Sequence, residues 1–105
     1  MQFVQTIEFR THRIDEMNAL MDTWTEQASD MATMPIRSWQ CKDRDADDAY
    51  VQIVEFASYE DAMRNSRDPK TDAMAKRMAA LCDGPPTFHN LDLMREETPQ
   101  EHAHA

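Results

Sequence analysis

The chain has 105 residues, a formal net charge of −9, 41% hydrophobic residues, nine methionines and a single glycine. That length suits one domain with one core, which folding can build by burying roughly two-thirds of the unfolded surface without staples. So acidic a chain argues against nucleic acid and anionic membranes as partners, since both call for a basic face, and no apolar run approaches the ~20 residues that span a bilayer.

The opening "QFVQTIEFR" alternates, with Phe3, Gln5, Ile7 and Phe9 on one side and Val4, Thr6 and Glu8 on the other. Period two with aromatic and β-branched residues predicts a strand and leaves no signal-peptide core. From Ile14 the period lengthens: Ile14, Met17, Leu20, Met21, Trp24 and Ala28 mark the apolar stripe of a helix that fades near Ser29 and stops before Pro35. Strands are predicted over Ile36–Lys42 and Tyr50–Phe56, joined by the polar hairpin "DRDADDA". "SYED" then starts a helix, with Ser58 as N-cap and Asp61 three residues on. That helix falters at "NSRDPK", because Pro69 lacks an amide donor, and resumes at Thr71 with Met74, Met78 and Leu81 turned inward. "DGPP" ends it, with Gly84 placed for a left-handed C-cap. "FHNLDLMREE" is the fourth strand, and residues 98–105 form a frayed tail after a single domain over 1–97.

The order strand, helix, strand, strand, helix, strand is that of an α+β, ferredoxin-like split β-α-β fold: one antiparallel sheet with both helices on one face. Phe56 leads straight into a helix, so its face, with Val54, Gln52 and Tyr50, belongs to the helices. The other face still carries Val4, Val51, Ile53, Leu91 and Leu93, an apolar surface that a soluble monomer avoids exposing. A second copy of the sheet is the simplest cover, which predicts a two-fold homodimer.

On this element order, on "VQIVEFASYEDAMRNS" and on "LCDGPPTFHNLDL", the chain resembles the dimeric α+β barrel superfamily, and within it the small antibiotic biosynthesis monooxygenase-like proteins. The resemblance runs from Gln2 to Glu97 and implies a homodimer with a cavity between helices and sheet in each subunit. Its activities range from cofactor-free oxygenation of polyketide quinones through haem degradation to lactone isomerisation, so it implies architecture more than reaction. The haem-degrading members use an Asn on the first strand, where this chain has Gln5, together with a Trp and a His from the second half; no His lies in the second helix and no Trp follows Trp39. The cofactor-free oxygenases hold phenolic substrates with Asn, Trp, Tyr and Arg, and Asn65, Trp39, Tyr50, Tyr59 and Arg37 are of those types, although no spacing ties them to that set.

Gln5 and Gln52 stand mid-strand on the helix-facing side, where an unpartnered amide costs ~1–3 kcal/mol. They are either the polar floor of a ligand cavity or bonded to each other or to a buried water. Asn90 shares their face, and Met74 and Met78 would form a flexible lid that admits an apolar ring. His89 is the acid–base candidate, with a solvent or interface position as the alternative. Asp92 reads as structural, paired with a nearby arginine. Trp24 reads as core packing, and Trp39 as lining either the cavity or the dimer interface.

The acidic hairpin fails as a calcium loop, because Asp48 and Val54 stand where a glycine and a glutamate are required. His102 and His104 support no designed metal site. Cys41 and Cys82 have no metal or redox spacing and read as free thiols, with Cys82 at the wrong end of a helix dipole for a nucleophile. The chain is thus expected to be a cytoplasmic homodimer that binds a small aromatic molecule without cofactor or metal. The alternative is a cofactor-independent monooxygenase or isomerase acting on an aromatic or polyketide-like substrate.

Overall fold

Four strands and three helical segments appear in the computed structural model, which describes residues 2–27 and 34–99. They are β1 (Phe3–Arg10), α1 (Ile14–Gln27), β2 (Arg37–Lys42), β3 (Ala49–Phe56), α2 (Tyr59–Arg67), α3 (Pro69–Leu81) and β4 (Thr87–Asp92). The strands form one antiparallel sheet in the order β2-β3-β1-β4, the ferredoxin-like arrangement that the element order predicts. β4 ends at Asp92, well before Glu97, and the amide of Leu93 donates to the carbonyl of Gln2. The expected end of α1 at Ser29, its stripe residue Ala28 and the tail from 100 onward lie outside the described residues.

Register settles the two faces. Gln5 pairs with Val54 and Asn90, Ile7 with Gln52 and Phe88, and Gln52 with Gln40, all on the side that the helices cover. The core is centred on Phe3, Phe56 and Ala62, with Val54 and Met63 packed against them. Tyr59, in the first turn of α2, sets its ring edge-on to Phe3 at a centroid distance of 5.3 Å. The reverse face carries Val4, Val51, Ile53 and Leu91, and Trp39 beside Ile53. Trp39 is 47% exposed and Leu91 is equally so.

The break in the second helical region differs in detail from its sequence reading. Ser58 caps α2 as expected, accepting from the amide of Asp61 at 3.1 Å. The restart falls at Pro69, and Asp68 is its cap, accepting from the amide of Lys70 at 2.8 Å. Pro69 occupies the first helical position, where its missing N–H costs nothing. Thr71 is therefore inside α3. Gly84 does adopt positive φ (115°), but α3 is capped two residues earlier by extended Cys82.

The segment after β1 holds the C-terminal end of α3, whose last carbonyls have no partner within the helix. Thr11, fully buried, donates its hydroxyl to the Leu81 carbonyl at 2.7 Å, and Arg13 donates to the Ala80 carbonyl at 3.1 Å. Arg13 thereby puts a cation at the negative end of a helix with no basic residue in its last turn. His12 Nδ1 lies 2.9 and 3.0 Å from the two carboxylate oxygens of Asp83. The hydrogen bond to His12 is the main cause that holds the Asp83 carboxyl below the usual carboxylate range. A pKa depressed on folding stabilises the native state above the unfolded value of about 4, and the contribution disappears as pH falls through the folded value. The acid limb of the stability curve, read by urea titration between about pH 2 and 5, should thus be shallower in Asp83→Asn than in the wild type.

Candidate functional site

A cavity of about 640 Å³ lies between the helices and the sheet. Its floor is Gln5, Ile7, Gln52 and Val54, and Met74 and Met78 of α3 roof it. This is the position expected for the glutamines and the two methionines, and the volume falls within the range of small-molecule sites. Asn90 does not line the space but supports it: Gln5 Nε2 donates to Asn90 Oδ1 at 3.0 Å, fixing one floor amide from the adjacent strand. On the opposite side, Gln40 of β2 donates to Asn18 Oδ1 of α1 at 2.8 Å and braces the rim.

The lining mixes apolar and polar residues in about equal number, and four of its side chains carry a buried polar atom without a protein partner: Trp24 Nε1, Gln52 Oε1, Asn65 Nδ2 and Thr71 Oγ1. The first comes from α1, the second from the sheet, and the last two from either side of the helix break at Asp68–Pro69. The break thus brings two polar side chains to one cavity, which an uninterrupted helix of the same length would carry past it. Each such group costs ~1–3 kcal/mol if nothing bonds to it. Four together rival a sizeable share of a domain's ~5–15 kcal/mol of stability, so each calls for a partner that no protein group supplies.

Sequence reasoning missed three of these four. Trp24 lies in the helical stripe and so reads as packing; its stripe position is correct, but its indole N–H points at no acceptor. Asn65 was visible only as a residue type, and Thr71 only as a helix cap. For Asn65 and Thr71 the helix break is the one signal in the sequence; for Trp24 there is none.

Two expected site residues require correction. His89 pairs with Thr6 on the reverse face of the sheet, and its Nε2 lies 3.3 Å from Glu8 Oε2, so it cannot reach the cavity. Trp39 stands on that same reverse face opposite Ile53 and does not line the cavity either. Period-two alternation puts both there once Gln5 and Gln52 face the helices. Asp92 has no arginine partner among the described residues; Arg95 pairs with Glu97 instead. Arg37, beside Trp39, holds the buried carboxylate of Glu55 at 2.8 Å. The hydrogen bond from that pair raises the guanidinium's pKa further, with a smaller contribution from Glu96.

No three His, Cys, Asp or Glu side chains gather to hold a metal ion among the described residues. Cys41 and Cys82 are both unpaired. Burial pushes the Cys82 thiol up, and its Sγ donates to the Met78 carbonyl at 3.4 Å, the opposite of an activated thiolate.

The comparisons with known proteins agree with this geometry. Superposition on SnoaB, described as a cofactor-independent oxygenase from Streptomyces nogalater, gives a TM-score of 0.76 at 16% identity, covering 90% of this chain and 95% of that one. The chain carries a ferredoxin-like α+β fold. A candidate antibiotic biosynthesis monooxygenase from Caulobacter crescentus matches at a TM-score of 0.75 and 10% identity, over 90% and 91% of the two chains. A dimeric ferredoxin-like protein of unknown function from Jannaschia sp. CCS1 matches at 0.71 and 10%, over 89% of this chain and all of that one. At these identities the likeness concerns the fold alone. No protein-family model matches the sequence, and no curated protein does. No helix among the described residues is long and apolar enough to cross a membrane.

Proposed function

We propose that this protein is a homodimeric binding protein for a small, mostly apolar ring compound bearing both a hydrogen-bond acceptor and a donor. The observation that carries the reading is a cavity of this size whose lining holds four side chains, each with a polar atom that no protein group bonds. Trp24 and Asn65 offer donors from the helices, Gln52 offers an acceptor from the sheet, and the Thr71 hydroxyl can do either. A ring held between them would direct a carbonyl towards the helices and a hydroxyl towards the floor. The apolar reverse face supports the dimer, as does the likeness to a protein described as dimeric. The two unpaired thiols support a reducing, cytoplasmic setting.

6-Acetyl-2-naphthol has the required size and both groups. At about 100 times its dissociation constant it should stabilise the native state by about 2.7 kcal/mol, raising the melting temperature on the order of ten degrees. The rise should shrink sharply in a Gln5→Leu, Gln52→Leu double variant whose circular dichroism shows it still folded. An unmoved melting temperature at millimolar probe would remove the binding reading and leave the fold intact.

A second reading, a cofactor-independent monooxygenase, is supported by the likeness to SnoaB. With His89 on the other face, the titratable side chain left in the lining is Asp22, which would have to act as the base that abstracts a phenolic proton. Oxygen uptake with a dihydroxyanthrone, faster than in buffer and abolished in Asp22→Asn, would favour the enzyme. Uptake at the buffer rate would favour simple binding.

A further inference from the structure

We infer that the cavity takes uncharged ring compounds and rejects their carboxylates, and that Asp22 is the residue that sets this preference. The inference rests on the binding reading above and adds the charge class of the ligand. Among the described lining residues, Asp22 is the only charged side chain, and none is a lysine, arginine or histidine. The four groups that lack partners are an indole, two amides and a hydroxyl, all neutral. Such donors can bond to a carboxylate, but they supply dipoles where an anion leaving water requires a full opposing charge.

Asp22 is placed to make the penalty worse. It lies on α1 one turn after Asn18, on the rim that α1 shares with Ser38 and Gln40 of β2, and the Gln40–Asn18 hydrogen bond fixes that rim. It is exposed, and no ion-pair partner neutralises it among the described residues. Exposed at the rim, its charge is screened by solvent and acts on an entering ligand at short range, across the mouth of the cavity. The net charge of −9 adds a long-range repulsion of the same sign.

The test compares 6-acetyl-2-naphthol with 6-hydroxy-2-naphthoate, which replaces the methyl ketone with a carboxylate of nearly the same shape. Dissociation constants are measured by calorimetry on the full-length chain at low salt. The carboxylate should bind at least about tenfold more weakly, a gap of 1.4 kcal/mol. The ratio of the two constants should fall towards one in Asp22→Asn, and also in the wild type at about 0.5 M salt. Glu16→Gln, which removes the same charge from the first turn of α1 outside the cavity, should leave the ratio in place. Equal or tighter binding of the carboxylate would overturn the inference while leaving the binding reading standing. So would a ratio that Asp22→Asn does not change, or that Glu16→Gln changes equally. If neither compound binds, the binding reading falls, and this one falls with it.

Discussion

Phe3→Ala should lower the folding free energy by about 3–5 kcal/mol, the range for removing a large aromatic from a packed core. Phe3 is only 2% exposed and joins Phe56 and Ala62 at the centre of the core, with Tyr59 edge-on against it. Truncation removes the ring's burial, the aromatic pair and the contacts of every neighbour around the void. Since a domain of this size has ~5–15 kcal/mol in total, the variant should be close to unfolding at physiological temperature. Urea denaturation reads this as a lower midpoint with an unchanged slope. A loss under about 1 kcal/mol would mean that the core does not centre on Phe3.

In the homodimer proposed above, Ile53→Asp should leave an unstable monomer or an insoluble protein. Ile53 lies mid-strand on β3, between Thr6 of β1 and Trp39 of β2, on the sheet face that no helix covers. Val4, Val51, Leu91 and Trp39 share that face, interleaved with Thr6, Glu8, Glu55 and His89, and apolar residues gathered on one uncovered face are the kind that mark an interface. An aspartate there would carry an unpaired charge into the seam between two sheets, at a cost of several kcal/mol. Light scattering at micromolar concentration should give the wild type twice the 12.2 kDa chain mass. Should Ile53→Asp precipitate, Trp39→Glu gives the same information at a position half-exposed in the single chain, and it should run as a folded monomer. A wild type of single-chain mass, or a Trp39→Glu variant that stays dimeric, would show that this face is not the interface. His89 and Glu8 lie on the same face, so a homodimer through it would set that pair at or near the seam, away from any ligand.

Phe3 and Ile53 are both apolar residues in alternating strands, and alternation alone divides residues into two sets without saying which set meets a helix. The run of Phe56 into "ASYED" supplied the missing fact, since a strand that leads directly into a helix turns its last core residue towards it. Once one residue was assigned, period two assigned every other, including Gln5 and Gln52, and the register carries that assignment across all four strands. His89 and Trp39 were legible by the same rule, but their side-chain chemistry suggested a site that their strand parity forbids.

What the sequence determined by itself was therefore the element order, the ferredoxin-like class and the two faces of the sheet, with Gln5 and Gln52 on the helix-facing one. All of these follow from local periodicity and from punctuation by Ser58, Pro69 and "DGPP". Only the tertiary structure decided which polar atoms lack partners. Trp24, Asn65 and Thr71 belong to three different helices, and nothing in their spacing says that they face one space. Whether an indole N–H or an amide finds an acceptor depends on the angle at which helices pack and on how far α1 stands from the sheet. Those quantities are set by long-range contacts, such as Arg13 and Thr11 on the end of α3 and Gln40 on Asn18, which join residues 22 to 70 positions apart.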